Sequence, residues 1–218
     1  MAKPGPRPSA IDAATGAEAG DEPGGNAADR ARARLVGAAV TVLARDGFAH
    51  ASARAIAAEA GGANGLIYYH FGSMDRLLAA TARVLAERGT ARIKAGLGGD
   101  DATRLWPDRL AEVIRSEAEG DDGRAVLELL VGARTSPTLQ AEISAVIGDA
   151  LGFIAAELRP VVSGSPVVGV VPPELMADVA GAAFLGLAVL LQNGRDVDID
   201  RLATTVAAAL ALSGWSPG

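Results

Sequence analysis

The sequence predicts an all-α protein, and three observations support this fold class. Half of the 218 residues are apolar, so the chain can bury a substantial core. Ala, Leu and Val dominate this apolar half while aromatic residues make up only 4%, a composition that suits closely packed helices better than a sandwich or barrel. Apolar residues also recur at helical spacing along most of the chain.

The amino-terminal segment, residues 1–28, is predicted to be a disordered tail. It holds four Pro and five Gly, and Met1 and Ile11 are its only large apolar side chains. It therefore lacks the apolar stretch of a signal peptide. The longest uncharged apolar run, Val179 to Leu191, has 13 residues, whereas a membrane span needs about 20. The sequence predicts a soluble, cytoplasmic protein that does not enter a membrane.

Four helices are predicted in the part of the chain that follows the tail. The first is amphipathic, with arginines opposite an apolar face, and Asp46-Gly47 ends it. Ser52 is suited to cap the second helix, and Gly61 can end it in the left-handed conformation. Ser73 is suited to cap the fourth. The predicted helices are 29–45, 53–60, 64–71 and 74–94.

The rest of the chain also has helical periodicity, with Asp/Gly or Pro signals between the segments. Residues 161–173 break this pattern with β-branched residues, Gly and Pro, and they fit either a loop or a short extended piece. The predicted helices are 103–119, 123–134, 138–159, 173–192 and 199–212.

Charge is distributed unevenly although the net charge is only −6. Residues 29–94 hold ten basic and five acidic side chains, a net +5, whereas residues 95–218 hold eight basic and seventeen acidic ones, a net −9. This asymmetry is typical of a domain that faces phosphates joined to a domain that does not.

The spacing of the second and third helices matches a helix-turn-helix, with residues 60–64 as the turn. Asn64 can form paired hydrogen bonds with an adenine edge, and Tyr68, Tyr69 and His70 have polar tips that can reach phosphates. Consecutive helical residues point about 100° apart, so the two tyrosines cannot both be buried and at least one should be exposed. This pattern predicts a DNA-contacting helix.

Three other aromatic or apolar residues are expected to fill the core of these helices and to contact no DNA. They are Phe48, Ile56 and Phe71. A metal role for His70 is disfavoured, because His50 is the only other histidine and no acidic pair accompanies them at ligand spacing.

The stretch ASARAIAAEAGGANGLIYYHFGSMDRLL, residues 51–78, resembles the DNA-binding segment of the tetracycline-repressor (TetR) family of transcription regulators. The resemblance implies a helix-turn-helix domain over 29–75 and a helical ligand-binding and dimerisation domain of about six helices over 76–218. It implies double-stranded DNA as a partner. The residues implied or predicted to contact that DNA are Ser52, Arg54, Ala63, Asn64, Gly65, Tyr68, Tyr69, His70 and Ser73; Arg54 fits a phosphate contact or an ordinary solvated arginine equally well.

Two departures from the family pattern affect the expected DNA affinity. Gly62 and Ala63 stand where the family usually has a β-branched residue and a capping Ser or Thr, and loss of such a cap costs about 1 kcal/mol. Met74 stands where a lysine is common, which removes a phosphate contact and lowers the salt dependence of binding by about one unit of slope. DNA binding is expected to survive. The alternative is a ligand-binding or partner-binding protein of the same fold without DNA binding.

The last two predicted helices, 173–192 and 199–212, favour a homodimer. Their apolar and small residues need cover on more than one side. A two-fold interface, in which each subunit gives both helices to a four-helix bundle, supplies it; an intramolecular core is the alternative. Such a dimer would hold two recognition helices about 34 to 36 Å apart on a palindromic operator.

The resemblance also implies a repressor that an unknown small molecule releases by moving the helix at 74–94. An amphipathic or apolar ligand fits the large apolar residues of the second domain and its single basic group between residues 125 and 158. These candidates, which could equally be core or surface residues, are Trp106, Leu130, Arg134, Phe153 and Phe184.

No catalytic site, metal or cofactor is predicted. There is no cysteine, and the acidic side chains lie in or beside Gly-containing loop signals, where such runs are usually solvated. These acidic residues are Asp100, Asp101, Glu117, Glu119, Asp121 and Asp122.

Overall fold

The computed structural model describes residues 23–97, 106–162 and 171–212. These ranges contain nine α-helices, two 3-10 turns and no strand, which confirms the predicted all-α class with three amino-terminal helices followed by six more. The helices are α1 Pro23–Asp46, α2 Ala53–Glu59, α3 Gly65–Phe71, α4 Met74–Leu97, α5 Trp106–Glu119, α6 Asp121–Gly132, α7 Pro137–Val162, α8 Pro173–Gln192 and α9 Ile199–Leu212. The 3-10 turns are Phe48–His50 and Ala133–Thr135.

The first helix begins earlier than the sequence predicts. α1 starts at Pro23, so the predicted disordered tail is wrong for residues 23–28, and its remainder, 1–22, lies outside the described residues. Proline fits the first turn of a helix because its missing N–H has no partner there. Ala27 and Ala28 then favour helix over coil.

The stretch 161–173, for which the sequence fits either a loop or a short extended piece, is helical at both ends. Residues 161 and 162 complete α7, residues 163–170 are outside the described ranges, and Pro173 opens α8.

A first core joins α1, α2, α3 and the start of α4. Ile56 and Phe71, which were expected to be core residues, are 0% and 7% exposed. Both α2 and α3 have seven residues, too few for a helix that is stable by itself, so this core holds them. Its buried members are Leu35, Val36, Ala38, Ala39, Val42, Ile56, Ala57, Ile67, Phe71 and Leu77.

A second core joins α1 and α4 to α6 and α7. Phe48 packs against this core instead of the first, which corrects the expectation that it fills the amino-terminal helices alone. The reason is Gly132 of α6: a Cβ there would lie 2.0 Å from two carbons of the Phe48 ring, so the ring occupies the space that the glycine leaves. The buried members of this core are Val40, Leu43, Leu78, Ala82, Leu85, Ala125, Leu129, Ala133, Leu139, Ile143 and Val146.

α4 contributes to both cores. Leu77 belongs to the first core, Leu78 and Leu85 belong to the second, and the half-buried Met74 packs against both. Because interiors are close-packed, a shift of α4 disturbs both cores together.

The carboxyl-terminal helices pack around α5 and α7. Ala111 of α5 meets Ile199 and Ala203 of α9 in a third, smaller cluster. α7 and α8 approach closely at Gly181, where a Cβ would lie 2.8 Å from Leu151 Cδ2.

α7 and α8 are long and apolar enough, by length and composition alone, to cross a membrane. This differs from the expectation based on the longest uncharged run, because a helix can keep a high apolar content while it carries a few charges. One or two such helices are weak evidence for a membrane, since core helices of soluble proteins have the same composition. However, only 11% of the apolar stretch of α8 is buried, so most of it has no cover within the described chain.

Candidate DNA-binding surface and adjoining cleft

The turn between α2 and α3 has the geometry of a helix-turn-helix. Gly61 has φ +69°, the left-handed conformation predicted for it, and the N–H groups of Gly61 and Gly62 donate to the carbonyls of Ala58 and Ala57. At the other end of α2, Ser52 Oγ accepts the Ala55 N–H at 3.2 Å, which confirms its predicted capping role. This turn closes α2 and sets the direction of α3.

α3 buries one face and exposes the other. Ile67 is fully buried in the first core, and Phe71 lies beside it. Tyr68 is 55% exposed and Tyr69 is 82% exposed, which confirms that at least one tyrosine points outward. The His70 ring is half-buried and meets the Tyr69 ring edge-on, with 4.9 Å between centroids. Two adjacent exposed rings on a short helix are typical of a surface that contacts a partner.

The first turn of α3 has no side-chain cap. Ala63, Asn64 and Gly65 are all exposed, and Asn64 has helical φ and ψ but makes no capping hydrogen bond. The Leu66 N–H donates to the Ala63 carbonyl at 3.0 Å. The missing Ser or Thr at position 63 therefore leaves the helix start without the expected hydroxyl acceptor.

Polar and basic side chains surround α3. Ser73 is half-buried, and its Oγ accepts the Arg76 N–H at 3.2 Å, which confirms the predicted cap of α4. Arg54 on α2 is exposed, and so is Arg76 on α4. Arg32 of α1 reaches α3 from the other side, where it donates to the His70 carbonyl at 2.7 Å.

Sequence reasoning did not identify Arg32 and Arg76 as side chains that lie beside α3. A motif of consecutive residues cannot show that Arg32 and a carbonyl 38 residues away are neighbours. One signal was available: Arg32 lies one helical turn before Leu35 and Val36, so its stem begins on the core side of α1.

Two hydrogen bonds connect the 3-10 turn after α1 to α6 and the first turn of α4 to the start of α7. The Phe48 N–H donates to Glu128 Oε2 of α6 at 2.7 Å. Ser136 Oγ donates to Asp75 Oδ2 of α4 at 2.7 Å and also accepts the Leu139 N–H as the cap of α7. These bonds fix the end of α1 and the start of α4 relative to α6 and α7.

A cleft of about 210 Å³ lies between α4 and α7. Its apolar lining is Ala86, Val146, Ala150 and Phe153, and its polar lining is Arg83, Glu87, Thr90 and Asp149. Arg83 and Asp149 pair across it at 3.7 Å. The cleft is therefore amphipathic and is lined by the second half of α4.

Of the four predicted ligand residues whose side chains the structure describes, one lines the cleft. Phe153 lines it, whereas Leu130 packs against the second core and Arg134 is exposed in the turn after α6. Phe184 is half-buried on α8. The side chain of Trp106 lies outside the described residues.

A family model described as "Bacterial regulatory proteins, tetR family" matches residues 35–81, from the core of α1 to the first turns of α4. Among curated relatives, an uncharacterised HTH-type transcriptional regulator of Mycobacterium bovis is 29% identical over 117 residues. This match covers 54% of the present chain and 60% of the length of that relative.

Similar folds occur among solved structures. A protein from Rhodococcus sp. described as a TetR-family transcriptional regulator superimposes with a TM-score of 0.69 and 22% identity, over 83% of this chain and 98% of its own. A transcriptional regulator from Saccharomonospora viridis, solved in complex with choline, gives a TM-score of 0.62 and 22% identity, over 84% of this chain and 96% of its own. At this identity the similarity shows the fold alone.

Proposed function

We propose that this chain, whose residues 35–81 match the model of the tetR family of bacterial regulatory proteins, is a cytoplasmic repressor that binds a palindromic operator as a homodimer and is released by a small molecule. The observation that carries the proposal is the exposure of Tyr68 and Tyr69 on a helix whose opposite face is fully buried. A rigid support with outward polar rings is what groove recognition requires.

The exposed start of α3 is placed to contact base edges. Recognition helices contact bases mainly through their amino-terminal residues, which here are Ala63, Asn64 and Gly65, all exposed. The Asn64 amide makes no capping bond and is suited to adenine. The remaining candidates, which we assign to phosphates or to the groove wall, are Ser52, Arg54, Tyr68, Tyr69, His70 and Ser73.

An uncovered apolar stripe on α8 supports a homodimer. Most of its members recur every three or four residues, and the small ones in the middle permit close helix approach: Leu175, Val179, Ala182, Gly186, Val189 and Leu190. α9 adds Leu202 and Val206, which are 38% and 39% exposed. A second copy, related by a two-fold axis, would cover both helices with the same residues. Such cover would also explain why an apolar helix of this length belongs to a soluble protein.

The cleft between α4 and α7 is the proposed effector site. Its apolar lining includes Phe153, and its rim carries Glu87 and Thr90 beside the paired Arg83 and Asp149. We assign to it a small amphipathic molecule whose apolar part contacts Phe153 and whose polar or cationic group faces Glu87. The choline in the Saccharomonospora viridis protein is a molecule of this general kind.

Release would follow from the double role of α4. The helix lines the cleft with Ala86 and contacts the first core through Leu77. A ligand that fits the cleft only when α4 has moved would disfavour the conformation that binds DNA, because a ligand shifts an equilibrium only through its differential affinity.

A gel-shift titration against the DNA upstream of the gene tests the proposal. Sequence-specific retardation at moderate salt, weakened by Asn64→Ala or Tyr68→Ala, is expected. Asn193→Ala is a matched control, since Asn193 is exposed at the far end of α8. Absence of specific retardation would favour the alternative of a ligand-binding or partner-binding protein. The uncapped start of α3 and the packed Met74 are the observations that favour this alternative.

A further inference from the structure

Arg32 of α1 makes two contacts with the carboxyl-terminal end of α3. Its Nη1 donates to the His70 carbonyl at 2.7 Å, and its guanidinium carbon lies 4.7 Å from the centroid of the Phe71 ring. Within the described ranges, this is the one side-chain hydrogen bond that reaches α3 from another helix.

The end of α3 needs such a contact. The last carbonyls of a helix have no partner within it, and in α3 the Gly72 N–H satisfies the carbonyl of Tyr68 but not that of His70. Arg32 supplies the donor for His70. A charged donor makes a stronger bond than a neutral one, and a positive charge at this end of a helix is favourable.

The guanidinium is suited to both contacts at once. Its plane can cover the face of an aromatic ring while its N–H groups donate at the edge, which a lysine ammonium cannot do in the same way. The apolar anchors Ile67 and Phe71 hold only the buried side of α3. Arg32 therefore restrains the helix on the side where it meets α1.

We propose that Arg32 is a positioning residue for DNA recognition. It fixes the carboxyl-terminal end of α3 against α1 and so keeps Tyr68 and Tyr69 at the angle at which they enter the groove. Its guanidinium is committed to His70 and Phe71 instead of a phosphate. This inference rests on the proposed DNA contact by α3.

Salt dependence separates positioning from phosphate contact. The experiment uses the full chain and a duplex that the wild-type protein selects from a random library, with affinity measured over a range of salt concentrations. Arg32→Ala is expected to weaken binding about tenfold and to leave the slope of log affinity against log salt unchanged. Loss of a phosphate contact would instead lower the slope by about 0.9.

Two further variants sharpen the comparison. Arg32→Lys keeps the charge but loses the planar contact, so it should bind with an affinity between those of wild type and Arg32→Ala. Arg34→Ala removes a nearby exposed charge of α1 and reports the effect of charge alone. Wild-type affinity for Arg32→Lys, together with a reduced slope for Arg32→Ala, would overturn the proposal.

Hydrogen exchange without DNA gives a second readout. The amides of His70, Phe71 and Gly72 should exchange severalfold faster in Arg32→Ala than in wild type, while the amides of α2 should not change. Unchanged exchange in α3 would overturn the positioning role. If Arg32→Ala does not fold, Arg32→Lys provides the same comparison.

The exchange result also separates the two proposals. A wild-type protein that selects no duplex contradicts the proposed function, whereas faster exchange in Arg32→Ala still shows that Arg32 holds α3.

Discussion

Position 63 decides how firmly α3 begins. Ala63 offers no side-chain acceptor, and no other side chain caps this turn. Ala63→Ser should place a hydroxyl oxygen within reach of the free N–H groups and stabilise the protein by about 1 kcal/mol. The expected rise in Tm, measured by calorimetry, is about 2 to 4 °C.

The control for this substitution is Ala58→Ser. Ala58 is exposed within α2, where serine has no capping role and should slightly lower the Tm. A Tm for Ala63→Ser at or below the wild-type value would contradict the role assigned to this position.

The ring of Phe48 leaves no room for a side chain at position 132. An added methyl group would lie 2.0 Å from two ring carbons, so Gly132→Ala should destabilise the protein by about 1 to 3 kcal/mol through overpacking. Urea unfolding measures this loss. Phe48→Leu in the same chain should recover part of it, because the smaller side chain makes room.

Gly148 and Gly152 provide matched controls for Gly132. Both are exposed in α7, and a Cβ at either position would meet no atom within 4 Å. Alanine there should stabilise by about 0.5 to 1 kcal/mol, since it removes the flexibility of a helical glycine. A stabilising Gly132→Ala would show that Phe48 does not occupy this space.

Single residues show where sequence reasoning reaches its limit. Ser52, Gly61 and Ser73 were predicted in their structural roles because caps and turns depend on residues a few positions apart. The placement of Phe48 on α6 and of Arg32 on α3 depends on distant parts of the chain. The same is true of the cleft between α4 and α7, where Phe153 alone lies among the predicted ligand residues whose side chains are described.

At the scale of helices, some boundaries were predictable from local signals, whereas α7, predicted to end at 159, continues through Pro160 to Val162. α8 and α9 begin and end where the sequence predicts, and α4 begins at the expected Met74. The start of α1 was not predictable in this way, because Pro23 can begin a helix as well as prevent one.

An ion-pair network ties the end of α1 to α2. Arg45 donates to Asp46 at 2.9 Å and to Glu59 at 3.0 Å. The hydrogen bond from Arg45 holds the pKa of Asp46 below its ordinary value. A carboxylate with a lowered pKa stabilises the fold above its ordinary pKa of about 3.9, and this contribution is lost as pH falls through the lower pKa of the folded state.

We therefore expect Asp46→Asn to reduce stability near neutral pH and to reduce it less as pH falls toward the lowered pKa of Asp46. Urea unfolding of both proteins between about pH 6 and about pH 3 tests this. The effect should be small and should shrink in high salt, because the pair is exposed. Asp178→Asn, at an exposed site on α8, is the control. A difference in unfolding free energy between wild type and Asp46→Asn that grows as pH falls would contradict the expected pH dependence.

At the scale of the whole molecule, the exposed stripe of α8 predicts how the protein assembles. Val179 lies in the stripe and is 60% exposed, whereas Val131 on α6 lies outside it and is 68% exposed. Val179→Asp should convert the dimer to monomer because it places a charge in an apolar interface. Val131→Asp should leave the dimer intact. Sedimentation velocity distinguishes the two outcomes.

The predicted dimer also affects the affinity for DNA. A monomer presents one recognition helix, so Val179→Asp should lose affinity for a two-half-site duplex much more than for a single half-site. A wild-type protein that sediments as a monomer at micromolar concentration would contradict the stripe as an interface.

The contact of Phe48 with Gly132 limits how this protein can be recombined with its relatives. A chimera that grafts residues 23–97 onto another regulator's effector helices must carry a glycine opposite Phe48, and a carboxylate that can accept its N–H as Glu128 does. Without both, the grafted helices α1 to α4 would pack against the new helices at a different angle, even if each part folds correctly by itself.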